Sequence, residues 1–121
     1  MSMKEQLDKG IAAHGMWKAR LRTAIDTGKS DFTVEKVKVD NGCDFGKWLY
    51  ALGPTEKGSP NFAKVKDMHA QFHTEAARIL ALALAGNKAE AEKGIAMGSK
   101  FADLSSKVTG AMMEWKRTAA D

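Results

Sequence analysis

Cysteine occurs once in the 121 residues, at Cys43, so no disulfide can close within the chain. With no secretory leader readable at the start, that scarcity predicts a reducing, cytoplasmic setting. Proline occurs only twice, at Pro54 and Pro60, both inside "LGPTEKGSPN", which leaves the rest of the chain free to form long helices. Long apolar runs are missing too. The longest, "ILALALAG" at 79–86, is too short to cross a bilayer, so no membrane-spanning role is expected. There is also no block of basic residues. The net charge of +4 comes from interspersed cations and acids, which predicts a solvated surface and no nucleic-acid partner. No internal repeat or low-complexity stretch is present.

What is present is ordinary globular material, 44% hydrophobic and 28% charged, and it predicts a single domain over residues 1–121. The expected fold is all-α: an antiparallel four-helix bundle with an additional short helix carrying the cysteine. Leu7, Ile11, Leu21 and Ile25 recur at helical spacing and predict a first helix from about Met3 to Asp26. "FTVEKVKVD" alternates apolar and polar residues but has no partner strand, so it reads as an extended connector. A short helix is expected from Cys43 to Leu52, capped by Asp40 or Asn41 and stopped by Gly53-Pro54. Ser59-Pro60 opens a third long helix with Phe62, Val65, His69, Phe72, Ala76, Ile79 and Ala83 on one stripe. A fourth, from Asn87 to about Lys116, carries Ala91, Ile95, Gly98, Ala102, Ser105, Val108, Met112 and Trp115, with Gly94 and Gly98 as a close-packing face.

The histidines carry the chemistry. There are three, His14, His69 and His73, and each lies on or beside an apolar stripe. His69 and His73 are four apart, one helical turn, which lets two imidazoles converge on one metal but is equally compatible with two ordinary histidines. Burying three imidazoles is costly unless their nitrogens are satisfied, and a shared cation satisfies them together. Zinc prefers four nitrogen and sulfur donors in a tetrahedron, and Cys43 is the only thiol. Placed in the first turn of a short helix, with Lys47 one turn on, Cys43 has surroundings that favour a thiolate. Gly42 and Gly46 leave room beside it. The expected metal site is therefore His14, Cys43, His69 and His73. Trp17 and Trp48 are expected to pack around it, Gly46 to leave it space, and Asp44 to influence the thiolate or serve as an N-terminal helix acid.

At these residues the sequence resembles a known family, the chemoreceptor zinc-binding domain. The matching pieces are "HGMWKARL" (14–21), "CDFGKWLYALG" (43–53) and "HAQFH" (69–73), in the family's order. The resemblance implies one zinc ion held by His14, Cys43, His69 and His73. It also implies attachment, in cis or in trans, to a bacterial chemoreceptor or diguanylate cyclase whose output is tuned by zinc or by oxidants such as hypochlorous acid. This sequence has neither a methylation-type coiled coil nor a GGDEF-like motif, so a stand-alone regulator and an excised domain both fit it.

Four protein ligands leave a zinc ion no open position for substrate water, so no enzymatic activity is expected. A purely structural zinc clip and a sensor, in which Cys43 is the redox-sensitive ligand, both remain. A histidine phosphotransfer bundle is a less favoured alternative: it needs an exposed histidine, and the usual neighbouring residues are missing. A di-iron or haem bundle is disfavoured because no histidine follows a glutamate by three and there is no C-x-x-C-H. Self-association through an apolar helix face is a further expectation. Met97, Met112 and Met113 read either as an adaptable contact surface or as core filler.

Overall fold

The structure is a computed structural model and describes residues 2–119. It is built from α1 (Met3–Gly15), α2 (Trp17–Thr27), α3 (Val34–Lys38), α4 (Asp44–Ala51), α5 (Pro54–Lys57), α6 (Pro60–Leu84), α7 (Lys88–Ile95) and α8 (Lys100–Thr118), with no strand among the described residues. The all-α bundle expected from the sequence is the architecture found. α6 is its axis and packs against α8, α7, α2 and α3. The α1–α2 rod runs antiparallel to α7–α8, since α1 lies on α8 and α2 on α7, while α4 closes over α1.

α6 follows its sequence signals closely. The Ser59 hydroxyl accepts from the Phe62 amide at 3.0 Å, and Pro60 occupies the first turn. Phe62, Val65, His69, Phe72, Ala76, Ile79 and Ala83 are all buried. The first rod differs from a single helix only at Met16, where the Met16 amide turns back to the Ala13 carbonyl (3.3 Å) and α2 then begins. It ends as "TGK" suggests, with Gly28 left-handed at φ 71°.

Two expectations need correcting. Residues 34–38 are helical, not extended: Thr33 caps α3 by accepting from the Lys36 amide at 3.3 Å. The valines that read as an alternation are an i, i+3 pair, Val34 and Val37, of which Val37 is buried towards the core. The fourth long helix is broken at residues 96–99, where Ala96 is extended, Gly98 takes φ 81° and Ser99 caps α8. Gly98 is thus a turn residue, whereas Gly94 does permit close packing: a Cβ there would lie 2.9 Å from Ile79 Cγ1. The break shifts the buried stripe of α8 to Phe101, Leu104, Val108, Ala111, Met112 and Trp115. Met112 is core, while Met97 is 93% exposed.

Candidate metal centre

Three elements each bring part of one cluster into the core. His14 comes from the last turn of α1, Cys43 from the residue that caps α4, and His69 and His73 from successive turns of α6. The three imidazoles are at most 2% exposed, and Cys43 is half-buried. One donor atom from each residue lies within 4.8 Å of every other. His14 Nε2 is 3.3 Å from His73 Nε2, which is 3.1 Å from His69 Nε2. Cys43 Sγ is 3.4 Å from His69 Nε2 and 3.6 Å from His73 Nε2. A tetrahedral zinc ion with ordinary bond lengths spaces two nitrogens about 3.3 Å apart, and a nitrogen and a sulfur about 3.6 Å. The four spacings given are close to edges of such a tetrahedron, and the remaining two, from His14 to His69 and to Cys43, lie within 4.8 Å.

The protons point to the same conclusion. His14 Nδ1–H donates to the Gly10 carbonyl at 2.7 Å, and His73 Nδ1–H donates to the Val37 carbonyl at 2.8 Å. Each bond fixes a tautomer whose Nε2 carries a lone pair. Two lone pairs then face each other at 3.3 Å, an arrangement that repels unless a cation lies between them. His69 Nδ1 is buried and has no hydrogen-bond partner, so hydrogen bonding leaves its ring orientation free and packing supplies it. The Phe45 ring centroid stands 5.3 Å from that of His69, and those of Phe45 and Phe72 stand 5.8 and 5.4 Å from that of His14.

Burial sets the charge states. Desolvation holds His14 at a pKa of about 4 against the pull of the Gly10 carbonyl, and holds His69 at about 2, helped by the neighbouring imidazoles. His73 is lowered by the same cause, opposed by the Val37 carbonyl and by Asp40. All three are neutral near pH 7, the form in which imidazole binds metal. Cys43 departs from the sequence expectation. Its burial raises the thiol pKa, the Gly46 amide opposes this, and Asp44 adds to it. Helix position alone therefore does not make a thiolate here; a bound cation would supply the charge that does.

The expected neighbours divide into two groups. Trp17 is buried, with its ring centroid 6.4 Å from that of His73. Trp48 packs on Phe45 and Trp115, one layer out from the imidazoles. Asp44 is exposed in the first turn of α4, but the cap is Cys43 itself, whose sulfur accepts from the Gly46 amide at 3.3 Å. Asp40 and Asn41 do not cap α4. Instead Asp40 accepts from the Tyr50 hydroxyl at 2.7 Å. The sequence gives no signal for Gly10, Val37 or Asp40, because two act through backbone carbonyls and the third through proximity created by the fold. Phe45, inside "CDFGKWLYALG", packs against His14 and His69 and reads from sequence only as an apolar residue of the short helix.

Gly46 has a sharper role than leaving space for a metal. A Cβ there would collide with the Asp40 carbonyl oxygen and lie 3.0 Å from Asn41 Cα. Gly46→Ala should therefore destabilise the protein by about 2 kcal/mol and loosen metal retention, although Gly to Ala within a helix ordinarily stabilises it. Denaturant unfolding and a zinc titration check this; a more stable variant with unchanged affinity would contradict it.

The cluster joins histidines from the first rod and α6 to a sulfur that lies between them in the sequence. The model of the chemoreceptor zinc-binding domain matches residues 14–80, which contain all four residues. No curated protein and no solved structure matches the chain significantly. The match covers more than half of the sequence and its residues close on one another in space, so the chain belongs to the chemoreceptor zinc-binding domain family.

Proposed function

We propose that this chain is a zinc-binding regulatory domain in which His14, Cys43, His69 and His73 hold one zinc ion, and in which the occupancy and oxidation state of that centre tune a signalling protein. The observation that carries this reading is the tetrahedral set of donor spacings, with two imidazole tautomers fixed by backbone carbonyls. Zinc would supply positive charge that keeps the sulfur ionised, and four protein donors leave it no open position, which favours regulation over catalysis.

The residues then link the metal to short helices of the fold. His73 reaches the α3 backbone through Val37, and Cys43 starts α4, so a change at either donor acts on the short helices that cover α6 and α1. Cys43 is the most accessible of the four donors. Its thiolate can reduce hypochlorous acid, yielding a sulfenic acid and chloride, and the sulfur then becomes a poorer donor. The output partner in this reading is a chemoreceptor or diguanylate cyclase, in cis or in trans. Among the described residues no helix is long and apolar enough to cross a membrane. Phosphotransfer is disfavoured because every histidine is buried.

Elemental analysis of the purified protein, followed by zinc release under hypochlorous acid, tests this reading. One zinc per chain, released by oxidant in wild type, is the expected result. Full zinc content with no release would reduce the centre to a structural clip, and protein that never retains zinc would remove the reading altogether.

A further inference from the structure

Above the metal centre the surface opens into a cleft of about 740 Å³, a volume typical of small-molecule sites. Its floor is His14, Cys43 and His73. Its walls are α1–α2 on one side and the 31–44 segment on the other. Trp17 and Phe32 give the cleft apolar, aromatic surface, and Arg20 and Lys36 give it positive charge.

Arg20 is the unusual residue. Every other arginine has a carboxylate partner: Arg22 has Asp26 and Glu92, Arg78 has Glu75, and Arg117 has Glu114. Among the described residues Arg20 makes no ion pair or hydrogen bond. Its guanidinium carbon instead lies over two aromatic rings, 5.1 Å from the Trp17 centroid and 4.8 Å from the Phe32 centroid. A cation–π contact uses none of the N–H donors, so the guanidinium fork stays available. Two carboxylates, Asp31 and Asp44, also line the cleft, yet neither lies within ion-pair distance of Arg20 or Lys36. The side chain is thus held in place, charged and unpaired, on the wall of a concave site.

We propose that this cleft binds a small organic anion, a carboxylate on an apolar body, with Arg20 as its counter-charge and the exposed Phe32 ring, backed by the buried Trp17, as the seat for the body. A carboxylate matches the planar fork, and the aromatic wall favours a flat or hydrophobic remainder over a bare inorganic ion. The concavity favours a small molecule over a flat protein surface. The charge that selects the anion belongs to the wall and does not depend on the metal, although a zinc centre carrying a single thiolate would add to it.

Benzoate is the probe, and benzamide is its neutral match. Titrated into the zinc-quantified protein, benzoate should change the tryptophan emission saturably, with a dissociation constant of about 1 mM, while benzamide should bind at least about tenfold more weakly. Arg20→Gln should weaken benzoate at least about tenfold with zinc content unchanged. Arg117→Gln, which removes the same charge from a residue that does not line the cleft, should leave binding as it is. Lys36→Gln, on an exposed residue, offers a second variant should Arg20→Gln fold poorly, and should weaken benzoate severalfold. Equal binding of benzoate and benzamide, or full affinity in Arg20→Gln, would overturn the proposal. So would an acidic peptide, acetyl-Ala-Glu-Glu-Ala-amide, that displaced benzoate and bound tenfold more tightly, because the site would then belong to a protein partner. Fully zinc-loaded protein that ignored benzoate would sink the cleft alone, and protein that bound benzoate but never took up added zinc would sink the metal reading alone.

Discussion

Cys43→Ala should lower zinc affinity by at least about 100-fold while leaving the helix content nearly unchanged. The loss is large because the sulfur is the only anionic donor in the set, and a structural zinc site of this kind draws on the order of 10 kcal/mol or more from its four ligands together. The fold should survive because Cys43 is half-buried at the edge of the core, whereas the packing of α6 rests on Phe72, Ile79, Val65 and their neighbours. The change also removes the α4 cap, so a further cost of about 1 kcal/mol is expected locally. Cys43→Ser separates the two effects. A hydroxyl restores the cap to the Gly46 amide but is a poor zinc donor, so the stability of α4 should recover and the affinity should not. Competition titrations with a chromophoric chelator measure the affinity, and circular dichroism follows the helices. Unchanged metal content and affinity in Cys43→Ala would show that the sulfur is not a ligand.

Acid should destabilise the zinc-stripped protein steeply, beginning near pH 6.5. The folded-state pKa of His14 is lowered to about 4, chiefly by burial. Above the ordinary value of 6.5 the imidazole is neutral in both the folded and unfolded chain, so it contributes no pH dependence. Below it the unfolded chain binds a proton that the folded chain refuses until about pH 4, and stability falls through that window. At about 1.4 kcal/mol per pH unit, His14 alone removes roughly 3 kcal/mol by pH 4, a large share of the stability of a small domain. His69 and His73 are shifted in the same direction by the same cause. Most carboxylates titrate lower, so the interval from pH 6.5 to 5 isolates the histidines. Zinc-loaded protein should show the same sign, because protons compete with the metal for the same lone pairs. Urea unfolding of stripped protein at pH 7.5, 6 and 5 measures the slope; identical midpoints would mean that the imidazoles are not buried as the structure has them.

Much of this could be read from residue order. Ser59-Pro60 and the apolar stripe that follows specify α6, because capping and periodicity are local and act over a few residues. The residues of the candidate cluster were legible for a similar reason: three histidines on apolar faces and one cysteine leave few ways to satisfy four buried polar groups. The short segments were less legible. Thr33 to Val39 looks alternating because Val37 and Val39 are two apart, as in a strand, while Val34 and Val37 are three apart, as on a helix; so few residues fit either period, and contact with α6 accompanies the helix. Residues 96–99 look helical by composition, and only Gly98 at φ 81° with the Ser99 cap shows the break.

The sequence by itself determined the helical class, the main axis and the members of the candidate cluster, since each rests on side-chain chemistry and on interactions between near neighbours in the chain. Tertiary structure alone decided that the Gly10 and Val37 carbonyls orient two of the imidazoles, that burial raises the Cys43 thiol pKa, and that Arg20 stands unpaired above the centre. Carbonyls are present at every residue and carry no signature in the sequence. Desolvation and charge pairing depend on which distant segments the fold lays against a group.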